Sequence, residues 1–342
     1  MSKLHFRPYR AASAFALMLT LAFSTSAQDP QNQQKPSDDQ PSATFKTGVE
    51  IVQLFFNVKD KHGALIPSLT KDNFDILEDG KPQTIKYFKA ETDLPLTLGI
   101  LIDASGSQQH VLGIEQEVGG SFLETTLRPK DMASVFSFDV DVNLIQDFTG
   151  SVSRLRKALN EVKINSGTGA CSNLPGLGGG PIPCPSTGPR GTVLYDAVYV
   201  ASHDAFAQEV GRKAMILLTD GEDQGSRLKI RDAIEAAHKA DVICYVLLIA
   251  DRGIAMGFGG GDMRKLTNET GGRVIEVGNK FEKLKQAFDQ ISQELRSQYN
   301  IGYTPTNGNR DGSFRKVEIK AKGGEYKIQA RAGYYAMPRK ED

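Results

Sequence analysis

Between Leu96 and Asn300 the sequence alternates short, wholly apolar runs with stretches of helical periodicity. Leu98–Ile102, Ala133–Phe138, Asn143–Phe148, Lys213–Leu218, Val242–Ile249 and Arg273–Val277 read as strands. Helices fit Gln108–Thr126, Val152–Val162, Val193–Gln208, Leu228–Ala240, Asp262–Thr270 and Phe281–Tyr299. A run such as Ala214-Met215-Ile216-Leu217-Leu218 has no polar face, so its strand must be covered on both sides. Strands and helices in this order predict an α/β fold with a doubly wound, mostly parallel six-stranded sheet. Only Asp139 to Val142 separates the second strand from the third, too little for a crossover, so the third is expected as an antiparallel edge.

Both flanks are β-like. Upstream, Val49–Val58, Phe74–Glu78 and Thr84–Phe88 are rich in β-branched and aromatic residues. Asp79-Gly80 falls between the last two runs as a hairpin turn. Downstream, Asn300–Thr304, Phe314–Ala321 and Tyr326–Ala330 are strands with Gly-rich turns. Neither group suffices for a sandwich alone. The first strand of the parallel sheet begins, and a last antiparallel helix ends, at the same edge of that sheet. The two groups are therefore expected to emerge side by side and form one β-sandwich in which the α/β segment is inserted.

The start of the chain reads as an address. Lys3, Arg7 and Arg10 precede an apolar run from Ala11 to Phe23, then Ser24-Thr25-Ser26-Ala27. That is the pattern of a secretory signal peptide cleaved after Ala27, and it implies a secreted or periplasmic protein. No apolar run is long enough to span a membrane. The Gln-, Asp-, Pro- and Ser-rich stretch that follows is expected to be a disordered tether. The organisation is thus 1–27 signal peptide, 28–46 linker, 47–92 first strand group, 95–299 α/β domain and 300–337 second strand group. Lys+Arg and Asp+Glu are both 41, which argues against binding nucleic acid through phosphate contacts. Three Cys and five His, none clustered, exclude zinc-finger frameworks.

Candidate chemistry lies where the first central strand ends. Leu98–Ile102 runs into Asp103-Ala104-Ser105-Gly106-Ser107, and crevices outside the carboxyl ends of such strands are where these folds bind ligands. Alternate positions let the oxygens of Asp103, Ser105 and Ser107 converge, and Asp220 ends another apolar strand in Thr219-Asp220-Gly221. An all-oxygen set suits a hard cation, Mg²⁺ where the geometry is octahedral, with Mn²⁺ or Ca²⁺ as ions of similar chemistry.

These residues resemble the metal-ion-dependent adhesion site of von Willebrand factor A (VWA) domains. The motif Asp-x-Ser-x-Ser falls on Asp103, Ser105 and Ser107, the separate threonine on Thr192 in Gly191-Thr192-Val193, and the second aspartate on Asp220. The resemblance covers about 96–300. The flanks, with Tyr299-Asn300-Ile301-Gly302-Tyr303-Thr304-Pro305 and Arg331-Ala332-Gly333-Tyr334-Tyr335, are similar to the VWFA-related proteins of acidobacteria. The resemblance implies a non-enzymatic module that binds a protein or peptide through an acidic side chain completing the metal shell. Charge supports this separately. Two carboxylates just balance a divalent ion, so an incoming carboxylate can displace its water.

Ser166 to Arg190 is long for a connection and carries Cys171 and Cys184 with 12 residues between them. In an oxidising compartment these two are expected to form a disulfide, with Cys244 left in the core. Two other readings stand beside adhesion. One is a secreted scaffold whose metal only stabilises loops. The other is a serine hydrolase using Ser107 and His110, one helical turn apart. Gly257-Phe258-Gly259-Gly260-Gly261 lacks the Lys and Ser/Thr of a phosphate loop and reads as a turn.

Overall fold

The computed structural model describes residues 51–91, 94–164, 191–249, 259–278 and 280–338. The first strand group supplies β1 (Val52–Lys59), β2 (Phe74–Glu78), β3 (Lys81–Gln83) and β4 (Ile85–Glu91). The α/β segment runs β5 (Leu96–Asp103), α1 (Leu112–Thr126), β6 (Met132–Phe138), β7 (Val142–Thr149), α2 (Val152–Glu161), α3 (Leu194–Val200), β8 (Arg212–Thr219), α4 (Ile230–Lys239), β9 (Val242–Leu248), α5 (Gly259–Thr270), β10 (Val274–Glu276) and α6 (Phe281–Arg296). The chain ends in β11 (Gln298–Tyr303), β12 (Phe314–Ala321), β13 (Lys327–Ala330) and β14 (Gly333–Tyr335). The signal peptide, the linker and the segment holding Cys171 and Cys184 lie outside the described residues.

The six-stranded sheet has the order β10-β9-β8-β5-β6-β7, parallel except for β7, which pairs antiparallel with β6 as its short connection requires. All eight residues of β5 are buried. Its alternate side chains feed two cores: Leu98, Ile100 and Ile102 meet α1, α2 and α6, while Leu101 meets α3 and α4. Helix α2 begins at Ser151, whose Oγ accepts the Arg154 N–H.

All six described helices differ from their sequence-based bounds, and three of the differences bear on the packing. The first is preceded by a separate 3₁₀ turn, Gly106–Gln108. The third changes winding at Ala201–Ala205 into a π turn, then a 3₁₀ turn that carries the fully buried Phe206 onto Phe148 at 5.1 Å between ring centroids. The last stops at Arg296 rather than Tyr299, because Gln298 and Tyr299 already pair with Glu91 and Ala90 of β4.

The flanking strands form two four-stranded sheets, β13-β1-β11-β4 and β14-β12-β2-β3. Each mixes strands from before and after the α/β segment, so neither strand group folds without the other. Their shared core holds Leu54, Phe56, Phe74, Ile76, Tyr299, Ile301, Tyr303 and Ile319, with Tyr299 stacked on Phe56 at 5.5 Å and Phe88 at 5.6 Å. At the hairpin turn, Asp79 and Gly80 have φ of 48° and 78°, the left-handed pair such a tight turn needs. The strands β3 and β14 were not read from sequence, and β3 rather than the Thr84–Phe88 run is the hairpin partner of β2, while β4 joins β11 in the other sheet.

Buried polar groups join the sandwich to the foot of the α/β sheet. Arg212, only 2% exposed, donates to the carbonyl of Leu94 at 2.5 Å and to that of Leu295. One side chain thus ties both chain connections between the two layers. Beside it Glu294 accepts from Lys59 and Arg273, each at 2.8 Å, and from Gln329 at 3.1 Å. Replacing Arg212 with Met strands one buried and one half-buried carbonyl. Urea unfolding is expected to show a loss of about 3 kcal/mol; a loss below about 1 kcal/mol would mean the clamp does not hold the layers.

Candidate metal centre

The carboxyl ends of β5 and β8 lie side by side, Ile102 opposite Leu218. Asp103 is fully buried there. Its Oδ1 accepts the Ser105 N–H at 3.0 Å and its Oδ2 accepts the Thr219 hydroxyl at 2.7 Å. The same Thr219 Oγ1 accepts the Gly221 N–H at 3.0 Å, which orients its proton toward Asp103. Gly221 has φ of 86°, a turn open to glycine that swings the chain away just after Asp220. The Ser105 and Ser107 hydroxyls lie 3.0 Å apart.

Asp220 is half-buried, and its Oδ1 accepts the Glu222 N–H at 3.1 Å. Thr192 is 7% exposed, and its carbonyl accepts the Gln224 N–H at 3.0 Å, which sets the Thr192 loop against the loop that follows Asp220. That second loop is laced to α3. Asp196 accepts the backbone N–H groups of Arg227 and Leu228 at 3.1 and 2.9 Å, and Ser226 Oγ accepts those of Tyr195 and Asp196 at 3.0 and 3.1 Å. The structure therefore joins Asp103, Ser105 and Ser107 directly, and brings Asp220 and Thr192 to the same edge on tied loops. Ser107 and His110 are both exposed, and the Ser107 hydroxyl pairs with Ser105. Cys244 is buried in β9, and burial pushes its thiol up to about 12.

Burial pushes the Asp103 carboxyl up to about 6; hydrogen bonds from Ser105 and Thr219 oppose the shift, and nearby Asp220 adds to it. Among the described residues, neither Asp103 nor Asp220 forms an ion pair with a basic side chain. Nor do three acidic, His or Cys side chains gather closely enough to ligate one ion. Two carboxylates lacking a cationic partner, beside a close pair of hydroxyls, fit a hard divalent cation bound mainly by oxygen and water, and not a zinc-type cage.

One residue at this edge escaped the sequence reading. Glu115, in the first turn of α1, is 1% exposed, and neither carboxyl oxygen has a hydrogen-bond partner among the described residues. Burial, reinforced by Asp103 and Asp220, pushes it well above the usual carboxylate range. Its signal was visible: Leu112, Glu115, Val118 and Phe122 share the buried stripe of α1, with a charge where the pattern calls for an apolar residue.

No protein-family model and no curated protein matches the sequence. Solved structures similar to the chain include a conserved hypothetical protein, BatB, from Bacteroides thetaiotaomicron, at 17% identity over 59% of this chain and 100% of that one, with a TM-score of 0.44. Proximal thread matrix protein 1 from the mussel byssus, with a zinc-occupied MIDAS motif, is 14% identical over 63% of this chain and 48% of its own, with a TM-score of 0.46. The SpRpn10 VWA domain is 10% identical over 58% and 95%, with a TM-score of 0.40. The chain thus spans all of BatB and about half of the mussel protein. Identities this low say nothing of shared chemistry.

Between pH 4 and 6 the native Asp103 holds a proton that the unfolded chain has released, so cation-free protein loses stability as pH rises through that window. Asp103→Asn lacks the penalty. With divalent ions chelated, its stability relative to the original protein is expected to grow by up to about 3 kcal/mol from pH 4 to pH 7 in urea unfolding. His238, lowered to about 4 mainly by burial, works in the opposite sense in both proteins and cancels in the comparison. A pH-independent difference would mean that Asp103 is not held in its neutral form.

Proposed function

We propose that the chain is a non-enzymatic module that binds a protein or peptide bearing an exposed acidic residue through a divalent cation, Mg²⁺ in the first instance. Asp103, Ser105, Ser107, Thr192 and Asp220 supply the cation's oxygen ligands, directly or through water. The observation that carries this reading is Asp103: a carboxylate buried at a strand end, fixed by Thr219 and Ser105, with no basic side chain among the described residues to balance it. A bound divalent ion supplies the missing positive charge and a Lewis-acidic face. Thr219 holds Asp103 in one orientation, and the Asp196 and Ser226 contacts hold the loop after Asp220 in register. The neutral hydroxyl ligands leave the ion electrophilic, which favours a partner's Asp or Glu over a neutral ligand.

The export reading fits this role, since a signal peptide at 1–27 and a tether at 28–46 would present the module outside the cytoplasm. Among the described residues no helix is long and apolar enough to cross a membrane. In that setting Cys171 and Cys184 are proposed to close a loop just before Thr192, as a flank of the binding face.

Calorimetry with Mg²⁺ tests the site. Asp103→Ala is expected to abolish binding and Asp220→Ala to weaken it at least ~10-fold, with circular dichroism unchanged. Unaltered Mg²⁺ affinity in both variants removes the site. Capture of partners from exported extract should be lost on adding EDTA while the protein stays folded. Unfolding by EDTA would assign the ion to a purely structural role.

A further inference from the structure

A small cavity opens beside the candidate centre, between α1, the end of β9 and the start of α6. Val111, Ile114, Glu115, Ile249, Gly278, Lys280 and Leu284 line it, and it has room for about one water molecule, ≈ 10 Å³. Its wall at Ile249 is joined to the centre, because the Ile249 N–H donates at 2.8 Å to the carbonyl of Thr219, the residue that holds Asp103. Among the described residues the only carboxylate lining this cavity is Glu115, and its two oxygens lack partners there.

Such a group is disfavoured in either protonation state. Ionised, it is a buried charge with like charges as neighbours; neutral, it is a buried acid with an unmade hydrogen bond. Methionine would fill the same stripe of α1 at no such cost. No described side chain relieves Glu115, and a cation is the one addition that also relieves Asp103 and Asp220. Among the described residues no three acidic side chains close on a single point, so Glu115 stands one layer out from the ion.

We propose that Glu115 is the outer carboxylate of the cation site: it accepts hydrogen bonds from water carried by the bound ion, and its charge helps hold a divalent cation before any partner arrives. This rests on the reading of Asp103 and Asp220 as the inner carboxylates. The site then carries three negative charges rather than two. The ion is retained in the unliganded protein, and a partner's carboxylate completes its shell without being needed to keep it there. Glu115 is a positioning residue that reaches the ion only through the ion's water.

The test is Mg²⁺ titration calorimetry on the full chain, together with melting temperatures in EDTA. Glu115→Gln keeps the shape and removes the charge. It is expected to weaken Mg²⁺ binding ~10-fold or more while leaving the melting temperature in EDTA equal or higher, a split that a merely structural residue would not produce. Glu115→Met, of similar volume, is expected to give the same loss and serves if the Gln variant folds poorly. Lys280→Met should leave Mg²⁺ affinity within about twofold. Equal Mg²⁺ affinity in the original protein and both Glu115 variants overturns the inference while the inner site stands. Lowered melting temperatures in both Glu115→Gln and Lys280→Met, with Mg²⁺ affinity unchanged, would instead pair Glu115 with Lys280. If the original protein binds no Mg²⁺, the inner-site reading falls and this inference with it.

Discussion

A carboxylate shut off from bulk solvent ends the central strand of this molecule, and the sheet is what keeps it buried. Because β5 is buried along its whole length, the side chain that ends it has nowhere to go but into the crevice between β5 and β8. There the Thr219 hydroxyl and the Ser105 N–H each take one oxygen of Asp103. Two hydrogen bonds recover part of the solvation lost, and Asp220 nearby works against them. The balance leaves an edge poised for positive charge. The loops around it are tied by the Asp196 and Ser226 side chains, which accept backbone N–H groups, and by the Thr192 carbonyl, which accepts the Gln224 N–H.

The opposite pole is rigid for a different reason. Both connections between the layers pass Arg212, and the end of α6 is further tied through Glu294 to β1 and β13. Asn57 adds a bond to the Glu294 carbonyl at 2.8 Å. Helix α6 thus runs from the Glu115 cavity, lined by Lys280 and Leu284, to a buried polar junction with the sandwich. Its far end is pinned by charged hydrogen bonds in a dry setting, where each is strong and costly to break. A movement of α6 in response to the metal edge would have to break that junction or be absorbed within the helix.

The flanking strands show how little of a sandwich a local reading contains. Neither group offers enough strands to cover a core, yet the pairs β1–β11 and β2–β12 close both sheets across the inserted segment. The closure follows from the α/β topology: β5 starts and α6 ends at one edge, so strands more than 200 residues apart in sequence are delivered together.

What the amino-acid order determined by itself was everything carried by period and punctuation. Apolar runs defined the strands of the central sheet, a four-residue gap made β7 antiparallel, Asp79-Gly80 made a hairpin, and strand ends marked Asp103 and Asp220. These are local properties, set by the backbone and by the need to cover apolar faces. Tertiary structure alone decided that Thr219 would hold Asp103, that Arg212 would clamp two chain connections, and that Glu115 would be left buried without a partner. Each depends on which side chains meet across elements far apart in sequence. No periodicity encodes that, because hydrogen bonding and burial are settled only when the layers close.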